Sequence, residues 1–325
     1  MNKESQYLPF SERTGEKSVV YFTRDLSGNG LKKVYSKIGE RMKGKIAVKL
    51  HTGEQNGPNI IPPEWVKALI FDKIPGAVIV ETNTFYDWER YTTEKHRKTL
   101  EINGWTFCPV DILDSEGTAL LPIGKGKHME SISVGKNLLN YDSLLVLTHF
   151  KGHTAGGIGG SNKNIGIGCA DGRIGKAQIH QREGSDDMWS IEKEEFMERM
   201  TESAKGTVDY FKENIAYINV MRNMSVSCDC EGVGAAPVVT PNIGIISSVD
   251  ILSVDQASVD LVYALKEEDK HDLFERFETR HGFRQLSYMK ELGMGNDRYV
   301  LIDLDNGEKE ISAEEAVKDV VPFCI

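Results

Sequence analysis

Eight apolar, β-rich runs recur along this chain with helical patterns between most of them, and that alternation limits its fold more than any other feature. The runs fall at residues 19–22, 45–50, 77–81, 107–112, 144–148, 216–220, 243–247 and 299–304. Helical periodicity marks 31–42, 63–73, 91–102, 192–212, 255–265 and 271–280. In the fourth of these, Phe196, Met200, Ala204, Val208 and Phe211 share one face, and the first turn is acidic. Ser253 and Gln256 read as a capping box for the fifth. Strands alternating with helices predict an α/β fold, with a mostly parallel or mixed sheet flanked by helices. No low-complexity linker divides the chain, so residues 1–325 read as one large unit or as two closely packed sub-domains.

Charge and hydropathy exclude some function classes. A formal charge of −10 and a pI near 5.4 argue against a general nucleic-acid binder, which must neutralise phosphates with clustered Lys and Arg. No segment approaches the roughly 20 apolar residues of a membrane span. Residues 1–17 are polar with no apolar stretch, so the expected location is the cytoplasm. Five cysteines (Cys108, Cys169, Cys228, Cys230 and Cys324) are too scattered for a disulfide framework, and Cys324 is placed wrongly for prenylation.

The richest segment for chemistry is 151–168, which directly follows the apolar run at 144–147. Roughly every third residue from Gly152 to Gly175 is glycine. Glycine loses the most backbone freedom on folding, so such density needs a reason: positive φ or close approach to a ligand. Between the glycines stand His149, Lys151, His153, Thr154, Ser161, Asn162, Lys163 and Asn164. A donor-rich, glycine-rich loop after a strand suits an anion. The segment matches neither the dinucleotide fingerprint, with Asn162 and Asp171 where glycines are required, nor a Walker loop. A Gly-x-Ser-x-Gly elbow and a His-Glu-x-x-His helix are also absent.

Other strand ends carry titratable groups. Lys49 and His51 share one face at the end of a predicted strand, with Glu54 just beyond the Gly53 turn. This trio can bind an anion, ligate a metal or move a proton. Glu81-Thr-Asn-Thr-Phe-Tyr86 ends the next strand, and Arg90 and His96 follow it. Ser247, Ser248 and Asp250 end a buried strand in a similar way. Cys228-Asp-Cys230 is the sharpest metal candidate, because residues i and i+2 of an extended segment point the same way. His180 is a candidate third ligand.

Taken in order, these segments resemble the family called domain of unknown function 362, whose members are often described as iron–sulfur centre proteins. The resemblance is carried by Val48-Lys-x-His-x-Gly-Glu54, by Thr82-Asn-Thr-x-Tyr86 with Arg90, Thr93 and His96, and by His149-Phe-Lys-Gly-His153. It continues through Lys163-Asn-Ile-Gly-Ile-Gly-Cys169, Gly175-Lys176 with His180, Cys228-Asp-Cys230, Pro237, and 242–250 leading into Asp255-Gln-Ala257. It is clearest over 45–265. Many relatives carry a ferredoxin module after the position of His180; here 181–187 contains no cysteine and leads directly to the helix at 192.

The expectation is a cleft that binds a small anionic ligand through Lys49, Arg90, His149, Lys151, His153, Lys163 and Asn164. Candidates for proton transfer are His51, Glu54, His153 and His180. One zinc or iron ion on Cys228, Cys230 and His180 is the candidate cofactor, and no four-iron cluster is expected. Further candidate partners are a redox protein or a second copy of the chain, with no nucleic acid and no membrane. The competing reading is a non-catalytic metal or redox accessory protein.

Overall fold

The computed structural model describes residues 6–185, 187 and 190–323; Cys324 lies outside them. The chain opens β1 (Lys17–Thr23), α1 (Gly28–Tyr35), β2 (Ile46–Lys49), α2 (Pro63–Lys73), β3 (Val78–Glu81), α3 (Thr93–Ile102), β4 (Val110–Ile112). A hairpin of β5 (Thr118–Pro122) and β6 (Ser131–Gly135) follows, then β7 (Ser143–His149). A second hairpin, β8 (Lys151–His153) and β9 (Gly157–Gly159), leads into α4 (Ser161–Gly168) and α5 (Ile174–His180). The remainder is α6 (Lys193–Phe211), β10 (Ile215–Met221), β11 (Gly244–Ser248), α7 (Ile251–Tyr263), α8 (Glu267–Thr279), α9 (Phe283–Glu291), β12 (Arg298–Asp303), β13 (Lys309–Ile311) and α10 (Ala313–Val317).

Nine strands form one mixed sheet in the order β13-β12-β1-β11-β10-β7-β2-β3-β4. From β10 to β4 every neighbouring pair is parallel, whereas β11 runs antiparallel to both its neighbours. Helices cover both faces, which is why the central strands β7 and β10 are buried along their whole length. Side chains along β7 alternate: Leu145 and Leu147 join a core with α1 and α2, and Leu144 and Val146 join another with α6 and α7. Among the described residues, no helix is long and apolar enough to cross a membrane.

The α/β architecture is the expected one, and each of the eight predicted strands has a counterpart. The differences are local. The first helix starts earlier, because Ser27 Oγ accepts from the Asn29 and Gly30 N–H groups, and it ends at Tyr35 rather than reaching Met42. The helix expected from Asp255 begins at Ile251, because Asp250, not Ser253, caps it and accepts from Ser253 N at 2.9 Å. The strand expected over 107–112 starts only at Val110, which leaves Cys108 ahead of it.

The largest correction concerns 151–168. It is not a loop but a hairpin followed by a helix, with Ser161 to Gly166 buried. Its glycines are there mostly for close packing. Only Gly157 in this stretch has positive φ, +68°. A Cβ on Gly166 would meet the Met200 carbonyl oxygen of α6, and one on Gly168 would meet the Lys49 side chain. The donor-rich start of α4 is also occupied: the buried Asp255 carboxylate accepts from Ser161 N at 2.7 Å and Asn162 N at 2.8 Å. Burial nevertheless pushes Asp255 up to about 6, against the bonds that favour its anion. A glycine-rich segment therefore exists here without an open backbone cradle for an outside anion.

Candidate functional site

Parallel pairing brings the C-terminal ends of β2, β3 and β7 to one edge, where ligands bind in open α/β sheets. Each end delivers a polar residue: Lys49, Glu81 and His149. The segments that follow, together with α4, α5 and the turn at Asp229–Gly234, wall a cavity of about 520 Å³. Lys163, Lys176, His180, Cys230 and Arg280 line it beside an apolar wall of Phe85, Ala155 and Ile167. By contrast, Ser247, Ser248 and Asp250 are outside it. β11 runs antiparallel, so its C-terminal end lies at the other edge of the sheet.

The first group of charges is neutralised within the protein. Lys49 Nζ is buried and donates to Glu81 Oε2 at 2.9 Å, Leu50 O at 3.0 Å and Asn164 Oδ1 at 3.0 Å. Glu81 Oε1 accepts from Thr52 N at 2.9 Å and lies 3.4 Å from Arg90 Nη1. Burial alone would raise the Glu81 pKa, yet Lys49 and Arg90 hold it well below the usual carboxylate range. Arg90 Nε donates to Glu54 Oε1 at 2.8 Å, and Tyr86 OH donates to the same oxygen at 2.8 Å. Glu54 Oε2 is buried with no partner. Lys176 Nζ donates to Thr82 Oγ1, Asn83 O and Ala170 O, and burial lowers its pKa to about 8.

His149 and Lys151 do not line the cavity; they anchor the turn that carries the cysteines. The His149 ring bridges Asp229 Oδ2 at 2.9 Å and Arg222 O at 2.7 Å, and Lys151 Nζ lies 3.0 Å from Asp229 Oδ2. Against the upward push of burial, these two neighbours keep Asp229 ionised well below the usual carboxylate range.

Cys228 and Cys230 are not in an extended segment: Cys228 caps a 3₁₀ turn over Asp229–Gly234. Their sulfurs still converge, and the histidine that joins them is His153 rather than His180. Ligand atoms of His153, Cys228 and Cys230 all lie within 4.8 Å of one another, so this group could hold a metal ion. Lys163 Nζ approaches Cys228 Sγ at 3.6 Å, and the Cys230 N–H approaches it at 3.4 Å. The rings of His51 and His153 also neighbour Cys228. Burial raises the Cys228 pKa, but the Cys230 hydrogen bond, Lys163 and His153 hold it well below an ordinary thiol. Its bond to Cys228, added to burial, pushes Cys230 well up.

Ring orientation bears on a metal. His153 Nδ1 accepts from Gly156 N–H at 2.8 Å, so the neutral ring carries its proton on Nε2. A ligating histidine normally donates its second N–H to an acceptor, the reverse of this arrangement. His153 would have to give up the Gly156 bond to ligate. His180 has the opposite pattern: its Nδ1 donates to Lys176 O at 2.8 Å, and its ring packs 5.0 Å from that of Phe196. Burial lowers the pKa of His51 and His180 to about 4, so both are neutral near pH 7. A four-iron cluster takes four thiolates. Cys169 is at the end of α4, Cys108 precedes β4, and neither belongs to the His153 group.

Two charged residues of the site are not signalled as ligand contacts by the sequence. Lys176 has a motif around it, but Arg280, at the end of α8, stands in no pattern. It lines the cavity with its Nε buried and without a partner.

A comparison with curated proteins finds no match. Among solved structures, the lactate racemase apoprotein from Thermoanaerobacterium thermosaccharolyticum is similar at 13% identity and a TM-score of 0.37, over 96% of this chain and 87% of that one. A Thermotoga maritima protein is similar at 15% identity and a TM-score of 0.37, over 59% of this chain and 49% of that one. The family described as Domain of unknown function (DUF362) matches residues 46–260, about two thirds of the sequence, and the chain belongs to that family.

Proposed function

We propose that this protein binds a small anionic molecule in the cavity at the ends of β2, β3 and β7. One observation carries the reading: among the described residues, neither Lys163 nor Arg280, two cations lining the cavity, has a carboxylate partner. Lys49 and Arg90 have Glu81 and Glu54, and Glu231 is committed to Thr154, Ser227 and the Cys228 N–H. Among the described residues, Lys163 reaches only the Cys228 sulfur and no carboxylate pairs with Arg280. Unpaired charge in a low-dielectric setting is costly, and a bound carboxylate or phosphate would relieve that cost. Lys49, His149 and Lys151 then act by shaping the site rather than by touching the ligand. Calorimetric titration with phosphate and small carboxylates tests this. Wild type is expected to bind at one site, and the Lys163→Ala/Arg280→Ala double variant to lose at least about tenfold in affinity. Equal binding by both proteins would refute it.

A second reading is favoured by the His153–Cys228–Cys230 group: a metal-holding accessory protein without turnover. Elemental analysis of protein purified without chelators is expected to approach one zinc or iron per chain under this reading, and Cys228→Ser/Cys230→Ser to abolish it. Metal-free protein of unchanged thermal stability would count against it.

A further inference from the structure

We infer that the occupant of the cavity is an amphipathic acid, with one anionic head at Lys163 and Arg280 and a hydrocarbon body that covers Phe85, Ala155 and Ile167. The head rests on the proposed function above; the body rests on the wall. An ammonium has three N–H groups to give. Lys49 and Lys176 each spend three bonds on protein acceptors, and Arg90 is turned to Glu54 and Glu81. Among the described cations of the wall, Lys163 and Arg280 keep bonds to give. One stands on α4 and the other at the end of α8.

The apolar residues of the wall come from three separate segments. Phe85 follows β3, Ala155 lies in the turn between β8 and β9, and Ile167 is on α4, one turn after Lys163. Residues four apart share a face of a helix, so α4 presents a charge and then an alkyl group to the same space. All three are half-buried, unlike Ile158 and Ile165 beside them, which are sealed in the core. The Phe85 ring lies 5.8 Å from that of His180, which packs in turn on Phe196, so packing sets its position. Inorganic phosphate would satisfy the cations but not this wall. A cavity of about 520 Å³ is far larger than one such ion and falls in the range that takes drug-sized ligands. Water against apolar side chains finds no hydrogen-bond partners there, and covering them with carbon is favourable in proportion to the area covered.

Calorimetric titration of the full chain with acetate, butyrate, hexanoate and octanoate, and with hexanol and inorganic phosphate, tests head and body separately. Wild-type affinity is expected to rise about two- to fourfold per methylene along the acids. Lys163→Ala/Arg280→Ala should lower every acid by a similar factor and keep the rise. Ile167→Ala should weaken octanoate at least about threefold more than acetate. The wild-type series stands even if a variant does not fold. Acids that bind no better as the chain lengthens, while phosphate still binds, overturn the hydrocarbon body and leave the anion reading intact. A rise that folded Ile167→Ala and the folded double variant both leave untouched overturns it too, because the hydrocarbon then sits elsewhere. Hexanol bound as tightly as hexanoate keeps the body and refutes the anion. Binding of none of these probes removes both.

Discussion

Two buried charge networks in this molecule differ in one respect that separates structure from function. At the edge of the sheet, Asp260 is bonded on every side: Arg13 grips both oxygens at 2.6 and 2.7 Å, Tyr7 and Tyr299 each donate at 2.8 Å, and Gln256 Nε2 donates at 3.0 Å. The rest of the Arg13 fork is spent on Leu8 O and Asp297 O. Nothing there is left to offer a ligand. At the ends of β2, β3 and β7 the charges are just as buried, yet Glu54 Oε2, His96 Nε2 and Arg280 Nε have no partner. Burial of charge alone is therefore not the signature of a site. The informative feature is the remainder after internal pairing.

The largest effect should come from breaking the closed network. Arg13→Ala leaves the buried Asp260 side chain without its cationic partner, and should cost about 3–5 kcal/mol of unfolding free energy. It should leave phosphate affinity at the cavity unchanged. Urea unfolding of wild type and variant measures the first, and titration measures the second. A loss of ligand binding in folded Arg13→Ala would erase the distinction between the two networks.

Acid should act on the open network next. Burial holds His51 and His180 at about 4 and His96 at about 3, while an unfolded chain protonates its histidines near 6.5. As pH falls below 6.5, the unfolded state takes up more protons, so stability falls until about pH 3–4, where the folded state charges too. Asp255 works against this. Its folded value of about 6 exceeds the unfolded one, so it adds stability between about pH 6 and 4. Three histidines outweigh one carboxyl. The net loss by pH 4.5 should be on the order of several kcal/mol, since each tenfold difference in proton affinity between folded and unfolded chain is worth about 1.4 kcal/mol. Urea midpoints at pH 7.5, 6 and 4.5 check it; a flat profile would show that these rings do not need to be neutral.

The sequence was most legible where a signal is periodic and least legible where contacts join distant segments. Runs such as Leu144–Leu147 declared their strands because β7 is buried on both faces. α4 was not legible because glycine is a poor helix former, and its helical state is set by packing on α6 and by the Asp255 cap. The motif residues Lys49, His51, Lys163 and Cys230 do share one cavity wall. Their internal pairing is tertiary and could not be read: Lys49 is spent on Glu81, His149 on Asp229, and the third member of the sulfur group is His153. Arg280 lies beyond the family match and in no motif, so only the fold brings it in.

The close packing of α4 gives an effect of intermediate size. Gly166→Ala should gain about 1 kcal/mol from helix propensity. It also drives a methyl into the Met200 carbonyl oxygen, backbone that cannot swing aside, at about 1–3 kcal/mol for overpacking. The clash should win, giving a net loss of about 1 kcal/mol in urea unfolding. A stabilised variant would mean that α4 and α6 have room to part, and that this glycine is not there for contact.

The smallest stability change, and the sharpest contrast with Arg13, is expected at Arg280. Removing a cation that has no carboxylate partner among the described residues deletes little attraction and relieves repulsion from Lys163 and Lys176 on the same wall. Arg280→Ala should thus unfold within about 1 kcal/mol of wild type, on either side of zero. Added phosphate should then separate the two proteins. A ligand at ten times its dissociation constant stabilises the protein that binds it by about 1.4 kcal/mol and leaves a non-binder where it was. Urea unfolding with and without phosphate gives the four values needed. If Arg280→Ala lost several kcal/mol without ligand, Arg280 would belong with Arg13 as a structural cation. If phosphate stabilised both proteins equally, Arg280 would have no part in holding the anion.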